Sequence, residues 1–189
     1  MFRKIALIMV VMSLLSPGFY LGAKTLKGVT FEDSVSINGT QTALNGMAVR
    51  TKFIFKVYVA GLYVQQKDSN PNNILKKDEI RRGVMHFLRD VEKGKISEAW
   101  QDALKANTPN YSPELKKQFD TLCSWMEDIK DGERIVMTYI PGTGTSIETR
   151  GKQKGILPGK EFADALFSCW IGPKPGPGEG FKKGLLGLE

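Results

Sequence analysis

The spacing of apolar residues changes period three times along the chain, and this confines the fold to a mixed architecture. Val29, Phe31, Val35 and Ile37 alternate with Thr30, Glu32, Ser34 and Ser36, the pattern of a strand with one covered face. Asn38-Gly39 follows as a two-residue hairpin turn, after which residues 42–44 are expected to return as a short strand. Residues 47–64 predict two further strands, with Arg50, Lys52, Ile54, Lys56 and Tyr58 on one face if the pleat is regular; a turn or bulge near residues 52–55 would alter that parity. Residues 69–73 form a polar loop around Pro71. Residues 80–89 make another strand, placing Val84, His86 and Leu88 on one side and Met85, Phe87 and Arg89 on the other.

At Ser97 the period becomes helical. Ser97 is expected to cap a helix over residues 98–106, stopped by Thr108-Pro109. Ser112-Pro113-Glu114 combines a capping hydroxyl, a proline at the first helical position and an acid at the positive end of the helix dipole. The stripe Leu115, Phe119, Leu122, Met126 and Ile129 predicts that this second helix continues to Asp131-Gly132. Residues 133–140 and 145–149 return to strand, as a hairpin through Pro141-Gly142-Thr143-Gly144. That turn resembles a phosphate-binding glycine loop but lacks its lysine and its following helix. A short strand over residues 152–156 precedes a helix over 160–171, with Phe162, Ala165, Leu166 and Cys169 inward and Gly172-Pro173 at its end. Residues 176–180 read as a flexible joint before a last short helix over 181–186. This order predicts an α+β fold, a mainly antiparallel sheet with helices packed on one face as an open-faced β-sandwich.

The N-terminus follows a different logic. Arg3 and Lys4 precede an apolar run from Ile5 to Leu15, broken by Pro17-Gly18, and Leu21-Gly22-Ala23 offers a small-residue cleavage site. These parts in this order predict a Sec signal peptide over residues 1–23, a mature domain over 24–189, and a periplasmic or secreted protein with no membrane span after cleavage. Cleavage near Ala23 would remove Arg3, Lys4 and no acid, so the formal charge would fall from +7 to +5. The basic spots Lys76-Lys77 with Arg81-Arg82, and Lys182-Lys183, are broken by acids or turns. They read as solvated surface rather than as a stripe for nucleic acid.

Cys123 and Cys169 can form a disulfide or remain two buried thiols. Neither belongs to a CxxC motif, and the single histidine, His86, completes no metal set with them. No metal, cofactor or catalytic triad is expected, and His86, with no acid at an obvious offset, reads as structural.

Two stretches carry a resemblance. Gly46-Met47-Ala48-Val49-Arg50 with Phe55-Lys56-Val57-Tyr58-Val59-Ala60-Gly61-Leu62-Tyr63-Val64, and the run from Gly155 to Leu166 followed by Trp170-Ile171-Gly172, resemble the chalcone isomerase superfamily, in particular its bacterial chalcone isomerase-like branch. The resemblance covers residues 28–188 and implies the chalcone isomerase-like fold. It also implies one of three roles: closure of a flavanone ring, binding of fatty acids, or a role without isomerase activity.

By this resemblance Arg50 matches the arginine that holds an oxyanion in the isomerases and a carboxylate in the fatty-acid binders. A guanidinium suits either, because it stays charged when desolvated and presents a planar fork of donors. Tyr58 matches that arginine's hydroxyl-bearing partner, and Tyr111 a pocket tyrosine. Cys169 stands where the isomerases carry a cleft Ser or Thr, and the isomerases' cleft asparagine has no counterpart. These departures remove polar positions that ring closure would use. The expectation is an exported, non-catalytic protein that binds a small apolar or amphipathic ligand with an acidic, fatty-acid-like head through Arg50, Tyr58, Tyr111 and Cys169. The alternatives are a chalcone-type intramolecular lyase, and a cell-envelope protein that binds a partner through residues 172–180. The oligomeric state stays open.

Overall fold

The computed structural model describes residues 22–188, so the expected signal peptide lies outside the described residues except for its last two positions. The chain begins with a ribbon of two antiparallel strands, β1 (Ala23–Leu26) and β2 (Val29–Glu32). Asp33 breaks what the alternation predicted as one strand, and β3 (Ser34–Ile37) starts a separate sheet. Asn38-Gly39 makes the expected turn, both residues with positive φ.

The returning strand is far longer than expected: β4 covers Thr40–Lys52, and β5 covers Phe55–Val64. Instead of a loop around Pro71 there is a short helix, α1 (Pro71–Lys76), where the Asn70 side chain accepts from the Asn72 N–H and proline takes the first position. β6 (Arg81–Phe87) leads into α2, which covers Lys93–Asn107 and starts well before Ser97. Inside that helix the Ser97 hydroxyl donates to the Cys123 carbonyl.

Ser112 caps α3 (Pro113–Ser124) as expected, accepting from the Leu115 N–H at 3.1 Å. The helix stops before Met126 and Ile129. Both are buried, but Ile129 exchanges backbone hydrogen bonds with Val91 instead of continuing the turn. The chain then makes β7 (Arg134–Ile140), β8 (Gly144–Thr149), β9 (Lys152–Leu157), α4 (Lys160–Ile171) and α5 (Glu179–Leu185).

Strands β3 to β9 lie side by side in sequence order, every neighbouring pair antiparallel. Such a meander needs only short connections. Its two faces are both covered, and β5 shows how the pleat divides them. Tyr58, Ala60, Leu62 and Val64 join the larger core with the helices. Val59 and Tyr63 pack with Val29 and Phe31 of the ribbon. All the helices therefore lie on one face, as the order of elements predicted, and the other face carries a small β-layer.

Arg81, expected on a solvated surface, is 1% exposed. Its guanidinium sits over the Tyr139 and Phe167 rings and pairs with Asp164 of α4 at 2.7 Å, tying helix to sheet. Cys123 on α3 and Cys169 on α4 are both free.

Candidate functional site

At one end of the sheet a cleft of about 740 Å³ opens between the strands β4, β5 and β6 and the helix α2. Its depth is aromatic. Tyr58 and Phe87 pack at 5.5 Å between ring centroids, Trp100 and Trp170 at 6.3 Å, and Phe181 of α5 lies edge-on to both Tyr58 and Trp170. Gly83 makes this floor possible, since a Cβ there would sit 2.7 Å from the Trp170 ring. Trp100 is buried, and its indole N–H has no hydrogen-bond partner among the described residues.

Arg50 reaches this cleft because of a register change. Lys52 pairs with Phe55 and Thr51 with Lys56, so continuous pairing would set Arg50 opposite Val57 and turn Tyr58 to the other face. A bulge between Arg50 and Thr51 shifts the register by one, and Arg50 faces Tyr58 directly. Directly opposed residues share a face with their Cβ atoms about 5 Å apart. Arg50 is half-buried and donates from Nη1 to the Pro177 carbonyl at 2.9 Å. Among the described residues no carboxylate pairs with it. A guanidinium has five donors, so most of its hydrogen-bonding capacity is uncommitted within the protein.

The Tyr58 phenol is pushed well above its usual range by burial, with the Arg50 charge and the neighbouring Trp170 indole pulling the other way. It is a neutral donor at physiological pH. The Cys169 thiol is 1% exposed, donates to the Ala165 carbonyl at 3.3 Å and is also pushed far up by burial. It forms an apolar wall and not a nucleophile.

The structure brings Arg50, Tyr58 and Cys169 to one cleft, while Tyr111 is not among the residues lining it. Tyr111 sits between α2 and α3, partly buried against the larger core. His86 is elsewhere too: its Nδ1 accepts from Arg134 Nε at 3.0 Å.

Residues 176–180 are no free joint. Gly176 and Pro177 form a cleft wall, pinned by the Arg50 bond and by the Gly176 N–H to the Cys169 carbonyl, and α5 begins at Glu179. Among the cleft residues that sequence reasoning missed are Trp100, Trp170 and Pro177. Trp100 stands at helical spacing with Ile96 and Ala103, a signal of burial that does not separate a core position from a cleft position.

A family model described as chalcone isomerase-like matches residues 23–187. Among solved structures, a fatty-acid binding protein of Arabidopsis thaliana has a similar fold, with a TM-score of 0.68 at 16% identity over 88% of this chain and 97% of that one. A comparison with curated protein sequences finds no match. The meander with its helices on one face, and a family match over nearly all the described chain, lead to one conclusion: this chain belongs to the chalcone isomerase-like family.

Proposed function

We propose that the protein binds, without transforming, a small amphipathic ligand whose acidic head meets Arg50 and whose apolar tail lies along the aromatic floor of the cleft. The observation that carries this reading is Arg50 itself: a half-buried guanidinium at the edge of an apolar cleft, with no carboxylate partner among the described residues. A cation so placed favours an anionic head over a neutral one. The volume falls within the range of about 300–1,000 Å³ usual for small-molecule sites, and such sites combine apolar walls with few polar groups. The unpartnered Trp100 N–H adds a donor that a ligand oxygen could satisfy. Tyr58 supplies a neutral hydroxyl beside the guanidinium. The structural neighbour from Arabidopsis is a fatty-acid binding protein, which supports a fatty-acid-like ligand here. Export through a Sec signal peptide, to the periplasm or beyond, belongs to the same proposal and rests on residues 1–23.

Native mass spectrometry of the purified protein, before and after denaturing extraction, tests the binding. A copurifying carboxylic acid is expected, together with displacement of a fluorescent fatty acid from the cleft. Arg50→Ala is expected to weaken that displacement about 10- to 100-fold, the worth of a charge-assisted hydrogen bond. An empty protein whose fatty-acid affinity is absent or indifferent to Arg50→Ala would sink the proposal. Turnover of a chalcone above its spontaneous rate would move the site into the enzyme class.

A further inference from the structure

The two-residue hairpins at either end of β4 are built differently. At Asn38-Gly39, both residues adopt positive φ, as these residue types do readily. At the other end Lys52 pairs with Phe55, so Phe53-Ile54 is the turn, and Phe53 adopts a φ of 56°. That is a costly conformation for a bulky side chain, and glycine or asparagine would relieve it. Yet Phe53 is 88% exposed, Ile54 85% and Phe55 52%. Turn formation alone does not account for three large apolar side chains projecting from one tip.

Cations surround them. Lys52 and Lys56 flank the turn, and the Arg89 guanidinium lies 4.5 Å from the centroid of the Phe55 ring. Residues 51–56 contain no acid. Of the four carboxylates that line the cleft beside the tip, Glu98, which feels Lys52, pairs with Lys95 at 3.1 Å and Asp90 with Lys130 at 2.7 Å, while Glu92 and Asp102 have no ion-pair partner among the described residues. Lys52, Phe53 and Phe55 also line the cleft, so the tip is its rim.

We propose that this hairpin tip docks the protein on an anionic phospholipid surface. Phe53, Ile54 and Phe55 enter the interfacial layer while Lys52, Lys56 and Arg89 stay at the level of the phosphates. Aromatic and apolar side chains with basic flanks partition into that layer, and each lysine near an anionic surface strengthens the contact about fivefold. A protein partner fits the tip less well. Six residues fall short of the roughly 20–30 per side of a stable protein interface, whereas a bilayer accepts a narrow wedge. The docked cleft would open onto the lipid; that purpose rests on the ligand reading above, but the docking itself does not.

Ile54 and Lys56 do not line the cleft, which makes the Ile54→Ser/Lys56→Glu variant a selective probe. The protein purified without residues 1–23 is sedimented with phosphatidylcholine vesicles, with and without phosphatidylglycerol, at low and high salt. Binding is expected to favour the anionic vesicles, to weaken in high salt, and to fall about tenfold or more in the double variant. The variant is expected to keep its far-UV circular dichroism and to release a fluorescent fatty acid like the wild type. No preference for anionic vesicles, or equal binding by the double variant, overturns the proposal. So does self-association in solution that the same variant abolishes, which would assign the tip to a second copy of the chain. Loss of fatty-acid binding with vesicle docking intact would strike only the cleft reading.

Discussion

Arg50 and His86 both project from strands, and the fold treats their chemistry in opposite ways. Arg50 has one carbonyl partner and an open cleft. The His86 ring has its Nδ1 occupied by Arg134, and burial, then the Arg134 charge, push its pKa down, with Asp131 opposing weakly. A histidine held below its unfolded value contributes stability that is fully present above about pH 6.5 and is lost as the pH falls through the lowered folded value. His86→Gln keeps an acceptor for Arg134 but cannot titrate, so melting temperatures measured from pH 8 down to pH 5 are expected to fall less steeply in the variant. Equal slopes would remove His86 from the acid response. The expectation that His86 is structural came from its isolation in the sequence, and the structure places it outside the cleft and against Arg134. By spacing alone the pairing of Arg50 with Tyr58 was legible only by coincidence, although the family resemblance pointed to it independently. An unbroken pleat puts them on one face by even spacing, whereas the real chain inserts a turn, which reverses the parity, and a bulge, which restores it.

Elements show the same division between local and distant causes, and α5 is the sharpest case. It lies so close to β4 that a Cβ on Gly46 would sit 2.1 Å from the Gly184 carbonyl oxygen. Asn45 reinforces the contact, its amide donating to the Leu185 carbonyl at 2.8 Å. Backbone cannot yield to a methyl group as a flexible side chain does, so Gly46→Ala is expected to cost about 1–3 kcal/mol. For a domain of this size that lowers the melting temperature by roughly 3–10 °C, measurable by scanning calorimetry. Gly94→Ala provides the contrast, because nothing lies within 4 Å of its added Cβ. Alanine's better helix propensity is expected to leave stability unchanged or raise it by up to about 1 kcal/mol. A neutral Gly46→Ala would refute the close packing. Elements signalled locally, such as the Ser112-Pro113 start and α4, stand where the sequence put them. The start of α2 was hidden because its Lys93 N–H is capped by Asp128, 35 residues away. The end of α3 was hidden because burial continues through Met126 and Ile129 after the helix has stopped. α1 has one buried residue, Ile74, and so no period to detect.

At the scale of the whole molecule, one sheet separates two apolar layers, and buried tyrosines report on both. Tyr58 and Tyr139 belong to the helical side, Tyr63 to the ribbon side. Burial is the main cause that raises all three. Tyr139, which also donates to Asp78, and Tyr63, which donates to the Glu32 carbonyl, are each pushed up to about 12, and Tyr58 further. A phenol whose folded pKa is raised contributes stability that is fully present below the unfolded value of about 10 and is lost as the pH rises through the folded value. Alkali is therefore expected to unfold the protein between about pH 10 and pH 12. β5 contributes Tyr58 to one layer and Tyr63 to the other, so the two layers share the two faces of one strand. Phenolate absorbance and far-UV circular dichroism, followed in one alkaline titration, are expected to change together in a single transition. Tyr63→Phe and Tyr139→Phe, which stand on opposite faces, are each expected to move that one transition to higher pH. If phenolate absorbance instead rises in two steps, and Tyr63→Phe removes only the earlier one, then the ribbon opens by itself and the two layers are not a single cooperative unit.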